Sequence, residues 1–226
     1  MSARIDCVLF DLDGTLADTA PDLVKALNQL LRENGRTALP LTELRPSVSH
    51  GGIIMIRRAF GIDETDQAFP GLRQRFLSIY RSCLADHTIL FPGMAQVLDR
   101  LEADGIIWGV VTNKSAWLTG PLMQALGLDH RAGCVVCGDT VAQSKPHPAP
   151  LLHACQRVDR LPTRTLYIGD ARRDILAGHS AGMYTLIAGY GYIDEGEDTS
   201  AWAADGLVNT PLEILDYIAA LNETTK

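Results

Sequence analysis

LFDLDGTLADT, residues 9–19, follows an apolar run and carries three acidic residues, Asp11, Asp13 and Asp18, within eight positions. Side chains on a strand alternate with period two, so Asp11 and Asp13 are expected to face one small volume at the mouth of a buried strand. Two like charges that close are unfavourable unless a cation, a proton or a substrate relieves them. The stretch is therefore both the end of the first strand and the first candidate site.

Working outward, short apolar runs rich in β-branched residues recur from residue 92 onward and alternate with amphipathic stretches, as parallel strands joined by helices do. The predicted strands are IDCVLF (5–10), IIWGVV (106–111), CVVCG (134–138), TLYIG (165–169), YTLIA (184–188) and GLVN (206–209). Helices are predicted over 93–104, 115–127, 148–158, 171–182 and 211–221. Between about residues 20 and 88 the pattern is helical, without strands. The expected architecture is thus α/β: a Rossmann-like, doubly wound parallel sheet with a small helical domain inserted after strand one. Its boundaries are 1–19 and 89–226 for the core and 20–88 for the insertion, with FPG (91–93) marking the return.

Composition narrows the function. The 226 residues are 46% hydrophobic and 21% charged with a net charge of −7, which suits a globular chain and leaves no basic footprint for nucleic acid. Apolar runs reach about six residues, far short of the ~20 that a spanning helix needs. No signal-peptide pattern precedes the first strand, and five cysteines without regular spacing fit a reducing compartment. A cytoplasmic protein without a membrane or nucleic-acid partner is expected, monomeric or weakly dimeric. Cys134 and Cys137 form a C-x-x-C, but inside an apolar run with no second ligand pair, so buried strand residues are expected there rather than a metal or redox site.

Open parallel sheets bind ligands beyond the carboxyl ends of their strands. Asp11 and Asp13 follow the first predicted strand, Thr112 and Asn113 the second, Asp139 the third and Gly169-Asp170 the fourth, and SKPHP places Lys145 shortly after the third. Singly, such residues are helix caps, turn formers or solvated surface groups; jointly, on one sheet edge, they suit phosphoryl transfer. An ionised Asp11 can attack phosphorus, Asp13 can protonate the leaving oxygen, and Mg²⁺, Lys145, Thr112 and backbone N–H groups can meet the phosphoryl charge. Mg²⁺ is expected on Asp11, Asp170 and the backbone carbonyl of Asp13, with Asp174, one turn beyond Asp170, holding the metal or its waters.

With DLDGT (11–15), Thr112 in VVTNK, Lys145 in SKPHP and GDARRD (169–174) in that order, the sequence resembles the haloacid dehalogenase superfamily of phosphatases. The resemblance implies a helical cap after the first strand, Asp11 as nucleophile, Asp13 as acid/base, and Thr112, Asn113 and Lys145 on the phosphoryl group. Asp13, which dehalogenase members lack, argues for phosphate esters. Within the superfamily the chain is similar to phosphoglycolate phosphatases and N-acetylmuramic acid 6-phosphate phosphatases; the HGG loop, the tryptophan of WGVVTNK and the tail from YGY (190–192) lean toward the latter. Ser115 departs from both groups, which carry proline there. Both substrates bear a carboxylate, so the cap is expected to offer an anion site at His50, Gly51 and Gly52, with Arg57 and Arg58 on the following helix. A phosphomutase would share every core residue. A receiver domain, which also uses Asp, Thr and Lys around Mg²⁺, would lack the 70-residue insertion.

Overall fold

The structure is a computed structural model that describes residues 4–194 and 196–223. Residues 1–3, 195 and 224–226, which the expected core boundaries include, lie outside the described residues. A six-stranded, all-parallel sheet has the order β5-β4-β1-β6-β7-β8. Its strands are β1 (Cys7–Phe10), β4 (Ile107–Val111), β5 (Cys134–Val136), β6 (Thr165–Gly169), β7 (Tyr184–Ala188) and β8 (Gly206–Val208). Each predicted strand is present, the third shorter than expected, so Cys137 falls just beyond it. All five cysteines are buried and free.

The central strand is apolar throughout because both its faces are covered. Cys7 and Leu9 pack with α7 (Ala149–Val158) and α8 (Arg172–Ser180) through Leu151, Ala154 and Ala177. Val8 and Phe10 join the opposite cluster with α5 (Met94–Ala103) and α9 (Glu213–Glu223), through Val97, Leu101, Ile214 and Ile218. The chain winds outward from β1 to β4 and β5, then returns to β6 on the other side of β1. The direction of winding therefore reverses at β1, which places the crevice at its carboxyl end.

A second, two-stranded sheet was absent from the sequence reading: β2 (Ala17–Asp18) pairs antiparallel with β3 (Ile89–Leu90). Between its strands run four helices, α1 (Ala20–Glu33), α2 (Leu41–Leu44), α3 (Gly51–Phe60) and α4 (Phe69–Ser82), with a 3₁₀ turn at Arg45–Val48. Helix α1 starts with Pro21 in its first turn and buries Leu23, Val24, Leu27, Leu30 and Leu31, the i, i+1, i+4, i+7, i+8 stripe of an amphipathic helix.

Asp22 locks the two linkers of this layer together. Although it lies in the first turn of α1, its fully buried carboxylate accepts from the N–H of His87 and Thr88 at 3.0 and 2.8 Å and from the Thr88 hydroxyl at 2.7 Å. Replacing it strands those donors in an apolar setting, so Asp22→Ala is expected to lose about 3 kcal/mol of stability. Urea unfolding checks this; a loss under about 0.5 kcal/mol would contradict the lock.

Candidate active site

The strand ends carry the polar residues expected of them, but the chain bends as soon as β1 ends. Leu16 N–H donates to the carbonyls of Asp11 and Leu12, and Gly14 takes a φ of +86°. A side chain at Gly14 would also collide with Asp170, since its Cβ would lie 2.1 Å from Oδ2. This position thus needs glycine on two counts.

The bend corrects the reading of Asp11 and Asp13 as a strand pair. The period of two does not survive the turn, and the two carboxylates have separate partners. Asp13 Oδ1 accepts from Lys114 Nζ and from the Thr19 hydroxyl, each at 2.6 Å. Asp11 Oδ1 lies 2.9 Å from Lys145 Nζ and accepts from Leu12 N–H at 2.8 Å. Their mutual repulsion is therefore met by two lysines, one each.

Lys145 is fully buried, with four oxygens around its ammonium: Asp11 Oδ1, Asp174 Oδ1 at 2.7 Å, Val111 O at 2.9 Å and the Tyr167 hydroxyl at 2.8 Å. Asp11, Asp170 and Asp174 present oxygens that all lie within 4.8 Å of one another, all buried. Burial, then the charges of Asp11 and Asp174, push Asp170 up to about 7. Burial also raises Asp11, more than Lys145 lowers it. At Asp174 burial works in the same direction, but Lys145 and Arg173 outweigh it and hold the carboxyl below the usual range. Three close carboxylates with one ammonium and a guanidinium, Arg173, at 4.0 Å make an oxygen-only, anionic donor set that fits a hard divalent cation.

Around this floor opens a cleft of about 540 Å³. It is lined from the sheet side by Asp11, Asp13, Thr112, Asn113, Lys114, Ser115 and Arg173, and from the helical layer by Ser49, His50, Gly51, Gly52 and Tyr80. Thr112, buried, accepts from Lys114 N–H at 3.1 Å. Asn113 lies in the lining, but its amide is tied to the backbone of Lys145: Nδ2 donates to the Lys145 carbonyl at 2.9 Å and Oδ1 accepts its N–H at 3.0 Å. Its side chain thus positions the lysine. Asp139 caps α6 (Ala116–Ala125) by accepting from Ala116 N–H at 2.9 Å, where Ser115 makes no side-chain cap.

In the helical layer, His50, Gly51 and Gly52 lie at the cleft and Arg57 does not. Arg57 and Arg58 occupy the last turn of α3, at the end remote from the cleft, where cations complement the helix dipole. Arg57 pairs with Glu64 at 3.8 Å, and Arg58 donates to Ser47 Oγ at 2.9 Å. His50 Nε2 lies 3.4 Å from Asp194 Oδ2. The cation that the layer brings to the cleft is Arg73 on α4.

Four contributors escaped the sequence reading. Lys114 carries the Asp13 contact, and although burial opposes its charge, Asp13 and Tyr80 raise it. The Ser49 hydroxyl donates to Asp170 Oδ2 from the helical layer. Tyr192 N–H donates to the same oxygen at 3.0 Å, and its hydroxyl donates to Asp18 at 2.7 Å, beside the bidentate Arg45–Asp18 pair. Arg173 flanks Asp11. The only sequence signals were that Lys114 sits in TNK, Arg173 in GDARRD and Tyr192 in YGY.

The chain thus combines a doubly wound α/β sheet, a buried acid cluster at its strand ends and an inserted helical layer that roofs them. The chain belongs to the haloacid dehalogenase-like hydrolase family, whose model matches residues 8–188. It is 41% identical over 215 residues, 95% of this chain and 96% of the relative, to the N-acetylmuramic acid 6-phosphate phosphatase of Pseudomonas putida. It is 42% identical over 213 residues, 94% of this chain and 96% of the relative, to the phosphoglycolate phosphatase of Xanthomonas campestris pv. campestris. Among solved structures it is similar to a predicted phosphoglycolate phosphatase from Haemophilus somnus, with a TM-score of 0.84, 28% identity, and coverage of 95% of this chain and 98% of that one. The receiver-domain alternative is thereby set aside. Among the described residues, no helix is long and apolar enough to cross a membrane.

Proposed function

We propose that this chain, a phosphomonoester hydrolase of the family, removes phosphate from a small acidic phosphomonoester by way of an aspartyl-phosphate on Asp11, with Mg²⁺. The observation that carries the reading is the arrangement of the cleft: one buried carboxylate, Asp11, on the floor between Lys145 and Arg173, and a second, Asp13, on the wall with its own lysine. In this reading residues 20–88 act as the cap and the remainder as the core. Asp11 attacks phosphorus, and Lys145, Thr112 and the backbone N–H of Asn113 receive the phosphoryl oxygens. Asp13 gives a proton to the leaving oxygen and then takes one from the water that resolves the acyl-phosphate. Lys114 and the Thr19 hydroxyl fix the carboxylate for both transfers. Mg²⁺, held by Asp11, Asp170 and the Asp13 carbonyl with Asp174 behind them, would supply charge that offsets the phosphoryl negative charge.

The test is phosphate release with Mg²⁺ from 2-phosphoglycolate, N-acetylmuramic acid 6-phosphate, β-glucose 1-phosphate and further sugar phosphates, compared by kcat/KM. One of the two acidic esters should lead; conversion of β-glucose 1-phosphate to its 6-phosphate without release would turn the reading to a mutase.

The metal assignment has a readout apart from activity. Asp170, raised to about 7 mainly by burial, keeps in the fold a proton that the unfolded chain releases near pH 4, so its contribution to stability is lost as pH rises through about 7. A cation that binds the ionised cluster offsets that loss. The rise in Tm on adding Mg²⁺ is therefore expected to grow from pH 5.5 to pH 8, by calorimetry; an increment independent of pH, or none, would remove the metal from these residues.

A further inference from the structure

Tyr80 is 1% exposed and lines the cleft; its hydroxyl lies near enough to Lys114 to favour the ammonium, yet meets no partner at hydrogen-bond geometry among the described residues. Two other buried side-chain polar atoms share that condition, Asp6 Oδ1 and Arg160 Nε, but those two residues face each other away from the cleft, with Arg160 Nε 3.7 Å from Asp6 Oδ2. Phenylalanine would keep the stacking of Tyr80 on Phe76, whose ring centroid lies 6.4 Å away, without leaving a donor unmet. A buried donor left open in a cleft wall is a group that a ligand completes. Its position says where: Lys114 Nζ is 4.9 Å from the centre of the Tyr80 ring and 2.6 Å from Asp13. The hydroxyl thus stands beside the end of the cleft where the ester oxygen would leave.

Arg73, Phe76, Leu77 and Tyr80 are spaced three, four and seven apart on α4 and all line the cleft, so one helix face forms this wall. Arg73 has no ion pair or hydrogen bond among the described residues, whereas Arg75, on another face, pairs with Glu33 at 2.7 Å. Seven residues of helix separate the Tyr80 and Arg73 backbones by about 10 Å. Between these poles the lining is apolar, with Leu77 on α4 and the half-exposed Trp117 of α6.

The geometry points to α4 as a ruler for the leaving group: Tyr80 donates to an oxygen on the carbon next to the phosphorylated one, and Arg73 binds a carboxylate some two helical turns further out. The substrate class that spans both is a phosphorylated sugar acid, with Trp117 and Leu77 against its ring. A two-carbon acid reaches Tyr80 alone. This rests on the phosphatase reading and narrows it.

N-acetylmuramic acid 6-phosphate and N-acetylglucosamine 6-phosphate differ only in the lactyl acid, and p-nitrophenyl phosphate lacks the vicinal oxygen. With Mg²⁺, R73Q is expected to raise KM about tenfold for the first, with kcat within about twofold, and to leave the second unchanged. Y80F should lower kcat/KM about tenfold more for both sugars than for p-nitrophenyl phosphate, and unfold at the same Tm or higher. An equal effect of R73Q on both sugars, or none, overturns the carboxylate anchor. An equal fall of Y80F on all three substrates, or a lower Tm, overturns the Tyr80 contact. Should the wild type release phosphate from none of them, the phosphatase reading fails by itself. Calorimetric titration of the two sugar phosphates into wild type and R73Q then decides the ruler: a tenfold preference for the acid that R73Q abolishes supports it, and equal affinities refute it.

Discussion

Asp11→Asn is expected to lower phosphate release by a factor of about 10⁴ or more while leaving the fold intact. The size follows from the proposed role of Asp11 as nucleophile: the amide cannot attack phosphorus, and its loss removes a whole covalent route, with 10⁴ corresponding to about 5 kcal/mol of barrier. The intact fold follows from the site. The amide oxygen can still accept from Leu12 N–H and from Lys145 Nζ, which retains Asp174 at 2.7 Å. The substitution also takes one charge from a buried cluster of three carboxylates, so Tm is expected to stay within about 3 °C of wild type or rise. Phosphate release and scanning calorimetry on one preparation separate the two effects. Activity within tenfold of wild type would move the nucleophile elsewhere; lost activity with a collapsed Tm would make Asp11 structural.

The sheet and its strand-end residues were legible because local pattern determines them. An apolar run of four to six residues that ends in Asp, or in Thr-Asn, reads the same in any context, and the βα alternation implies a parallel sheet, though the strand order is seen only in the structure. The β2–β3 ribbon was not legible: two residues per strand carry no period, and Ala17 and Leu90 meet only in three dimensions. The same holds for the second layer of the site. Lys114 reaches Asp13 across 101 positions and Ser49 reaches Asp170 across 121, and nothing local distinguishes either from a solvated polar residue. Arg57 misled for a helical reason. It follows the glycine loop in sequence, but at 1.5 Å per residue a helix carries it away from its own N-terminus, and the helical layer's arginine at the cleft came from α4 instead. Asp13 does line the cleft with Asp11, but not through strand alternation, since hydrogen bonding turns the chain after Asp11 and the bend brings the second carboxylate there.

Lys145→Met is expected to be the most destabilising single change in the site. Methionine fills a comparable volume, so the loss is electrostatic: Asp11 and Asp174 lose the ammonium at 2.9 and 2.7 Å, and the carbonyl of Val111 and the hydroxyl of Tyr167 lose a donor. Breaking a buried ion pair from one side costs about 3–5 kcal/mol, because the partner charge stays buried without compensation. Arg173, at 4.0 Å from Asp11, cannot replace a direct contact. The deficit has a sign in pH. Without the lysine, burial favours the protonated forms of Asp11 and Asp174 in the fold, while the unfolded carboxyls ionise near pH 4. The folded variant therefore holds extra protons above that pH and loses stability as pH rises until those carboxyls ionise. Urea unfolding of variant and wild type at pH 5 and pH 8 should show the larger difference at pH 8. Added Mg²⁺ should recover more stability in the variant than in wild type, since the cation meets carboxylates that no ammonium now meets. A deficit that is the same at both pH values and blind to Mg²⁺ would mean that Lys145 acts through packing alone, and the charge balance on the floor of the cleft would need another source.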